Sequence, residues 1–476
     1  MFETIYANGI HGTSGRPLLR GVTLEEIASF GRFGGAASER EELRRLRKRR
    51  EKDHLETRFG VDPKNLSEAG WGVVFPAGRE DDLRAALSPL LDLRRCQAGR
   101  ENDGRYRELI YRTPESKARF LARHGVGPGP VDPNRMPYYL LLAGDPTEIP
   151  FSFQYQLDVQ YAVGRLASTD LKELRCYAET VVRAERGDLR RSRSVTFFGP
   201  SHPGDPATER SSAELVAPLV GRTRSERPAW EVESLFGAAA TKAELKLRLG
   251  GERTPALFFS ASHGVGFDPD DPRQLARQGA LLCQDWPGAK GGRPLSADDY
   301  FSGEDVGEEA SVAGLVAFVF ACYGAGTPVR DSFDCNGAPE RLAPHDFVAR
   351  LPRRLLGHPN GGALAVIGHV DRAWTYSFGW QCTEVQLAVF ESALDALLDG
   401  LPVGAAMEYF NQRYAEVSTD LSMLDEESRW GAAPDLMSRA SLWVAMNDAR
   451  SYVVLGDPAV RLAVAPAPAN GERVEG

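Results

Sequence analysis

The sequence has no run of about 18 apolar residues, the length a membrane-crossing helix needs, so no membrane span is expected. It also lacks a basic excess. Lys and Arg number 57 against 66 Asp and Glu, a net charge of −9, which argues against nucleic acid as the main partner because phosphate binding needs a basic face. The six cysteines (Cys96, Cys176, Cys283, Cys322, Cys335 and Cys382) include no CxxC pair and no zinc-site spacing. They read as free thiols of a reducing compartment. The start, "MFETIYANGIHGTSGRP", has no basic stretch followed by an apolar core, so no secretory signal is read and a cytoplasmic location is expected.

What is present is a long chain of ordinary globular composition. Its 476 residues suit two or three domains. "EREELRRLRKRREKDHLETRF" (39–59) is dense in charge of both signs and reads as a solvated helix, with a basic docking surface as the alternative. "EDDLRAALSPLLDLRR" (80–95) is amphipathic with Pro89 as a kink, and "TDLKELRCYAETVVRAERG" (169–187) is a helix stopped near Gly187. From about residue 190 continuous apolar strands alternate with helices: 193–200, 230–237, 256–264, 313–324 and 361–370 as strands, with helices between them, one at 345–357, and over roughly 380–417. That pattern predicts an α/β fold with a mostly parallel sheet covered on both faces. "YYLLLAGDP" (138–146) and "YVVLGDPAVRL" (452–462) are near-repeats, either a shared turn or the mark of two related halves.

Two strand ends carry chemistry. "ALFFSASHGVGF" delivers His263 and "FVFACYGAG" delivers Cys322, each followed at once by glycine-containing turns. In a parallel sheet, ligands bind outside the carboxyl ends of the strands, where both residues fall. A thiol becomes a useful nucleophile only with a neighbour that takes its proton, and histidine can also protonate a leaving amine. Attack on a carbonyl further needs donors for the developing oxyanion. The backbone N–H groups of Gly264 and Cys322 are the candidates.

These segments resemble the caspase-like cysteine peptidase clan, in particular its gingipain and CHAT branches. The flanks "YYLLLAGDPTEIPF…DVQYAVGRLA", "GGALAVIGHVDRAW" and "YVVLGDPAVRL" look like gingipain-family segments in the same order, so that the likeness spans about residues 137–465. The resemblance implies a caspase-like, mostly parallel sheet flanked by helices, with an N-terminal α/β accessory region. Residues 1–187 would form that region, or a second, degenerate caspase-like half; residues 188–465 would form the catalytic domain and 466–476 a disordered tail. It implies a Cys-His endopeptidase in which Cys322 attacks the scissile carbonyl and His263 is the general acid/base. Trp374 would wall the pocket for the residue before the cut. His369 and Asp371 in "GHVDRAW" offer a rival polar pair whose place after a strand suits the pocket rim, supporting rather than catalytic. Arg210 would be the candidate contact for an acidic substrate residue. No acidic residue precedes Cys322 in "LVAFVFAC", where relatives that cut after basic residues commonly have one, which leaves the cleavage preference open.

The same likeness suggests a restricted, regulated protease acting on a protein substrate, with an activating partner and a gasdermin-like or other antiviral defence effector as candidate partners. No cofactor is expected. The acidic loops 267–272 and 330–336 are solvated on the plainer reading, and calcium binding is the alternative. The insert 283–311 is long and polar, either a gating or self-processing loop or a passive excursion. Two rivals stay open: a catalytically inactive interaction scaffold, and a Cys-His acyltransferase or thioesterase.

Overall fold

The computed structural model describes residues 4–29, 57–58, 60–288, 293–331, 333, 341–380, 384–429 and 435–466. The charged segment 39–59, apart from residues 57 and 58, and the tail beyond residue 466 lie outside the described residues, as do Cys335 and Cys382.

Ten strands make one sheet: β1 (Trp71–Pro76), β2 (Tyr106–Tyr111), β3 (Tyr139–Ala143), β4 (Ala162–Leu166), β5 (Ser194–Gly199), β6 (Glu231–Phe236), β7 (Leu257–Ala261), β8 (Val316–Phe320), β9 (Ala365–His369) and β10 (Tyr452–Gly456). Across the sheet they run β2-β1-β3-β4-β10-β9-β8-β7-β5-β6. Every neighbouring pair is parallel except β9 with β10. Two parallel blocks of opposite sense therefore meet along one antiparallel seam, and the last strand in the chain lies at its centre. All residues of β3, β4, β7, β8, β9 and β10 are buried, which is why they read as mainly apolar runs without alternation, Arg165 in β4 being the buried charge among them.

Helices flank the sheet. Leu171–Arg186 begins with the Asp170 carboxylate accepting from the Lys172 N–H and ends at Gly187 in the left-handed region (φ 88°), a start and stop placed where the sequence predicts them. It packs beside Glu80–Ala98, which carries Pro89 in its interior. There the buried Arg94 pairs with the buried Asp457 just beyond β10 (2.7 Å). On the other block an aromatic core ties sheet to helix: Phe259 stacks on Phe318 at 5.0 Å between ring centres, and Phe390 meets Phe410 edge-on at 5.1 Å. The helices at 345–357 and 380–417 come out shorter or displaced, as Arg350–Leu356, Ala388–Leu398 and Glu408–Arg429.

A small second sheet stands over the carboxyl end of β7. Its strands lie in the order Tyr300–Phe301, Leu281–Leu282, Gly264–Gly266 and Gly9–His11, so the described part of the 283–311 insert and the chain's N-terminal segment both contribute to it.

Candidate active site

Strands β5, β7, β8 and β9 are consecutive and parallel, so their carboxyl ends line one edge of the sheet. Four segments leave that edge in order: the loop bearing Asp205, the turn bearing His263, the turn bearing Cys322, and the stretch Asp371–Trp374. His263 and Cys322 stand two residues beyond Ala261 and Phe320, which are register partners, so the topology delivers them side by side. The backbones then touch: a Cβ on residue 264 would lie 1.7 Å from the Cys322 carbonyl oxygen, so only glycine can follow His263 here.

His263 is 1% exposed, and its Nε2 lies 2.6 Å from Oδ2 of the buried Asp205. Nδ1 has no hydrogen-bond partner. Burial pushes the Asp205 carboxyl up. The attraction of His263, the hydrogen bond to it and a second bond from the Thr208 hydroxyl (2.8 Å) outweigh that and hold it at about 2. Asp205 is thus an anion that fixes the imidazole's orientation. The sequence reading missed it, because "HPGDP" reads as a turn and no spacing ties it to His263; the only available signal is its place after an apolar strand that neighbours β7.

Cys322 is fully buried, and burial pushes its thiol up to about 12. What buries it is the N-terminal segment, which runs through the cleft as an extended peptide. On one side, the Asn8 N–H donates to the Ala373 carbonyl (2.9 Å) and the Thr375 N–H donates to the Tyr6 carbonyl (3.0 Å), with Ala7 bridged antiparallel to Trp374. On the other, Gly9–His11 pairs parallel with Gly264–Gly266. Between the two, the Asn8 carbonyl oxygen accepts hydrogen bonds from Gly264 N–H (2.8 Å) and from Cys322 N–H (3.0 Å). Two backbone donors converging on one oxygen at these distances are the geometry that stabilises an oxyanion. A Cβ on residue 9 would lie 2.8 Å from the Cys322 sulfur. Sequence inspection does not single this segment out, because its binding is through main-chain atoms.

The remaining named residues fall as follows. Trp374 is buried against the N-terminal segment, and its ring meets that of Phe333 at 4.6 Å. Asp371 has φ 75°, and its carbonyl accepts from the N–H of Tyr323, itself at φ 59°, so two left-handed residues hold each other beside Cys322. Its neighbour Arg372 is buried and forms a two-pronged ion pair with Asp331, one contact being 2.7 Å. Arg210 is paired with Glu214 at 2.9 Å, while the adjacent Ser211 hydroxyl accepts from the Asn8 side-chain amide (3.3 Å). The buried His369 bonds the Asp448 carbonyl at 2.9 Å. In the acidic loops, Asp268 pairs with His11, Asp271 with Arg273 and Asp331 with Arg372; Ser332 and residues 334–336 lie outside the described residues. Among the described residues no cluster of three or more His, Cys, Asp or Glu has metal-site geometry, and no helix is long and apolar enough to cross a membrane.

The sequence matches no protein-family model and no curated protein. Solved structures similar to the chain include one described as a protease, with a TM-score of 0.47 and 12% identity over 87% of this chain and 81% of that one. Another is the Arg-specific cysteine proteinase gingipain R, with a TM-score of 0.44 and 13% identity over 83% and 78%. A complex of the pro- and mature domains of RgpB from Porphyromonas gingivalis gives 0.43 and 13% over 83% and 80%.

Proposed function

We propose that the chain is a cysteine endopeptidase. Cys322 is the nucleophile, His263 the general acid/base, Asp205 the residue that positions the imidazole, and the N–H groups of Gly264 and Cys322 the oxyanion donors. The observation that carries this reading is the pair of N–H groups meeting on one carbonyl oxygen of an extended peptide that lies against Cys322. A scaffold with no chemistry has no use for that arrangement together with a histidine–carboxylate pair.

In the reaction, the Cys322 thiol gives its proton to His263 as the sulfur attacks the carbonyl carbon. The oxyanion is held by the two N–H groups. His263 then gives the proton to the departing amine, and water hydrolyses the thioester. Ion pairing with Asp205 supports the imidazolium through both transfers. Edge-on main-chain pairing, of the kind the N-terminal segment makes, would select an extended substrate backbone, and side-chain pockets would select the sequence. The complete burial of Cys322 supports a restrained enzyme with a narrow substrate set.

The test is mass spectrometry of products from a proteome-derived peptide library, comparing the native chain with Cys322→Ala. Internal cuts made by the native chain and absent in the variant are expected. Turnover of thioesters with no peptide cleavage would replace this reading with the acyl-transfer one.

A further inference from the structure

We propose that the Asn8–Gly9 peptide bond is a substrate of this site in the same chain: the N-terminal segment lies in the cleft as a peptide poised for cutting, with asparagine in the pocket for the residue before the bond. The inference rests on the endopeptidase reading above and deepens it.

The register identifies the bond. The carbonyl held by both oxyanion donors belongs to the residue before the cut, and that carbonyl is Asn8's. Main-chain pairing fixes the peptide on both flanks, residues 6–8 against 373–375 and residues 9–11 against 264–266, so the Asn8–Gly9 bond is stretched across the turn that carries the sulfur. Gly9 is the residue the sulfur abuts, and a side chain there would collide with it. Glycine is thus the residue that lets Cys322 approach the bond.

The side-chain pocket makes one hydrogen bond to the neutral amide. Asn8 is fully buried, and its Nδ2 donates to the Ser211 hydroxyl (3.3 Å), whose own proton is offered to the Thr208 carbonyl (3.4 Å), while its Oδ1 has no hydrogen-bond partner. Arg210, the neighbouring cation, is engaged by Glu214, so an aspartate in place of Asn8 would be buried without that counter-ion.

The step balances. The thiol proton passes to His263 as the C–S bond forms on Asn8; the C–N bond to Gly9 breaks and the Gly9 nitrogen takes that proton. Water then hydrolyses the thioester, which regenerates the thiol and leaves a carboxylate on Asn8. The products are the peptide of residues 1–8 and a chain that begins at Gly9 with an amino group beside Cys322.

The experiment is intact-mass and N-terminal analysis of the purified chain over time, alongside its cutting of the peptide library. Conversion to a species beginning at Gly9 is expected, absent in Cys322→Ala and slowed at least tenfold in Asn8→Asp and in Asn8→Ala, with both variants melting near the native temperature. Library products ending in asparagine are expected from the same preparation. A chain that cuts library peptides but keeps residues 1–8 overturns the inference and leaves the endopeptidase reading standing. Equal self-cutting by Asn8→Ala overturns the pocket assignment. A chain that cuts neither itself nor any peptide overturns both readings.

Discussion

Nε2 of His263 and Oδ2 of Asp205 are 2.6 Å apart inside the protein, although no spacing in the chain links the two residues. The contact is charge-assisted, and its value for the proposed chemistry lies in fixing which imidazole nitrogen faces the substrate.

Asp205→Asn is therefore expected to lower kcat by about a hundredfold or more while the fold persists, measured as peptide turnover with thermal melting as the control. The pair also sets an acid limit. Because the Asp205 carboxyl is held at about 2, its contribution to stability is fully present above its ordinary value and disappears as pH falls from about 4 to about 2. The stability gap between the native chain and Asp205→Asn, about 2 kcal/mol by this linkage, should shrink across that window in urea titrations.

Gly9→Val puts a side chain where the Cys322 sulfur sits, so the N-terminal segment must leave the cleft. Hydration then reaches a thiol that burial holds at about 12. Iodoacetamide labelling of Cys322, followed by peptide mapping, should accelerate about tenfold or more relative to the native chain. Equal rates would mean that the segment is not what shields the thiol.

Gly264→Ala has no space at all, its added methyl falling 1.7 Å from the Cys322 carbonyl oxygen. The two turns must separate, and with them the donors that converge on the Asn8 oxygen. Loss of peptide cleavage with a lowered melting temperature is expected, and a fully active alanine variant would show that the turns are not in contact.

The Arg372–Asp331 pair, each side chain 5% exposed, supports the stretch from Asp371 to Trp374 behind the cleft. Arg372→Ala strands a buried carboxylate and should cost about 3–5 kcal/mol in chemical denaturation. Arg372→Met combined with Asp331→Leu should recover part of that loss, since the Asp331 charge leaves with its partner while Asp371, 3.7 Å from Arg372, stays buried.

Strands β7 and β8 were legible because burial on both faces leaves a continuous apolar run, and each run halts at a reactive residue followed by glycine. The helix Leu171–Arg186 was legible through its cap and its left-handed Gly187. The antiparallel seam between β9 and β10 was not, since residue-by-residue hydrophobicity is the same for either strand direction. Asp205 was hidden for a different reason: one carboxylate in a Pro-Gly-Asp-Pro loop looks like any turn until the sheet order brings that loop to His263. Asn8 was hidden more deeply still. Its decisive contact is made by a carbonyl oxygen that every residue possesses, so side-chain patterning contains no trace of it.

The central position of Tyr452–Gly456 also orders events during synthesis. Among the described strands it is translated last, yet it joins the two blocks of the sheet. A nascent chain lacking it holds two half-sheets with bare inner edges, and the strand that leads into Asp371 and Trp374 has one side unpaired. The sheet edge that leads into Asp371 and Trp374 is therefore completed only when this strand has been made, after every other described strand of the sheet.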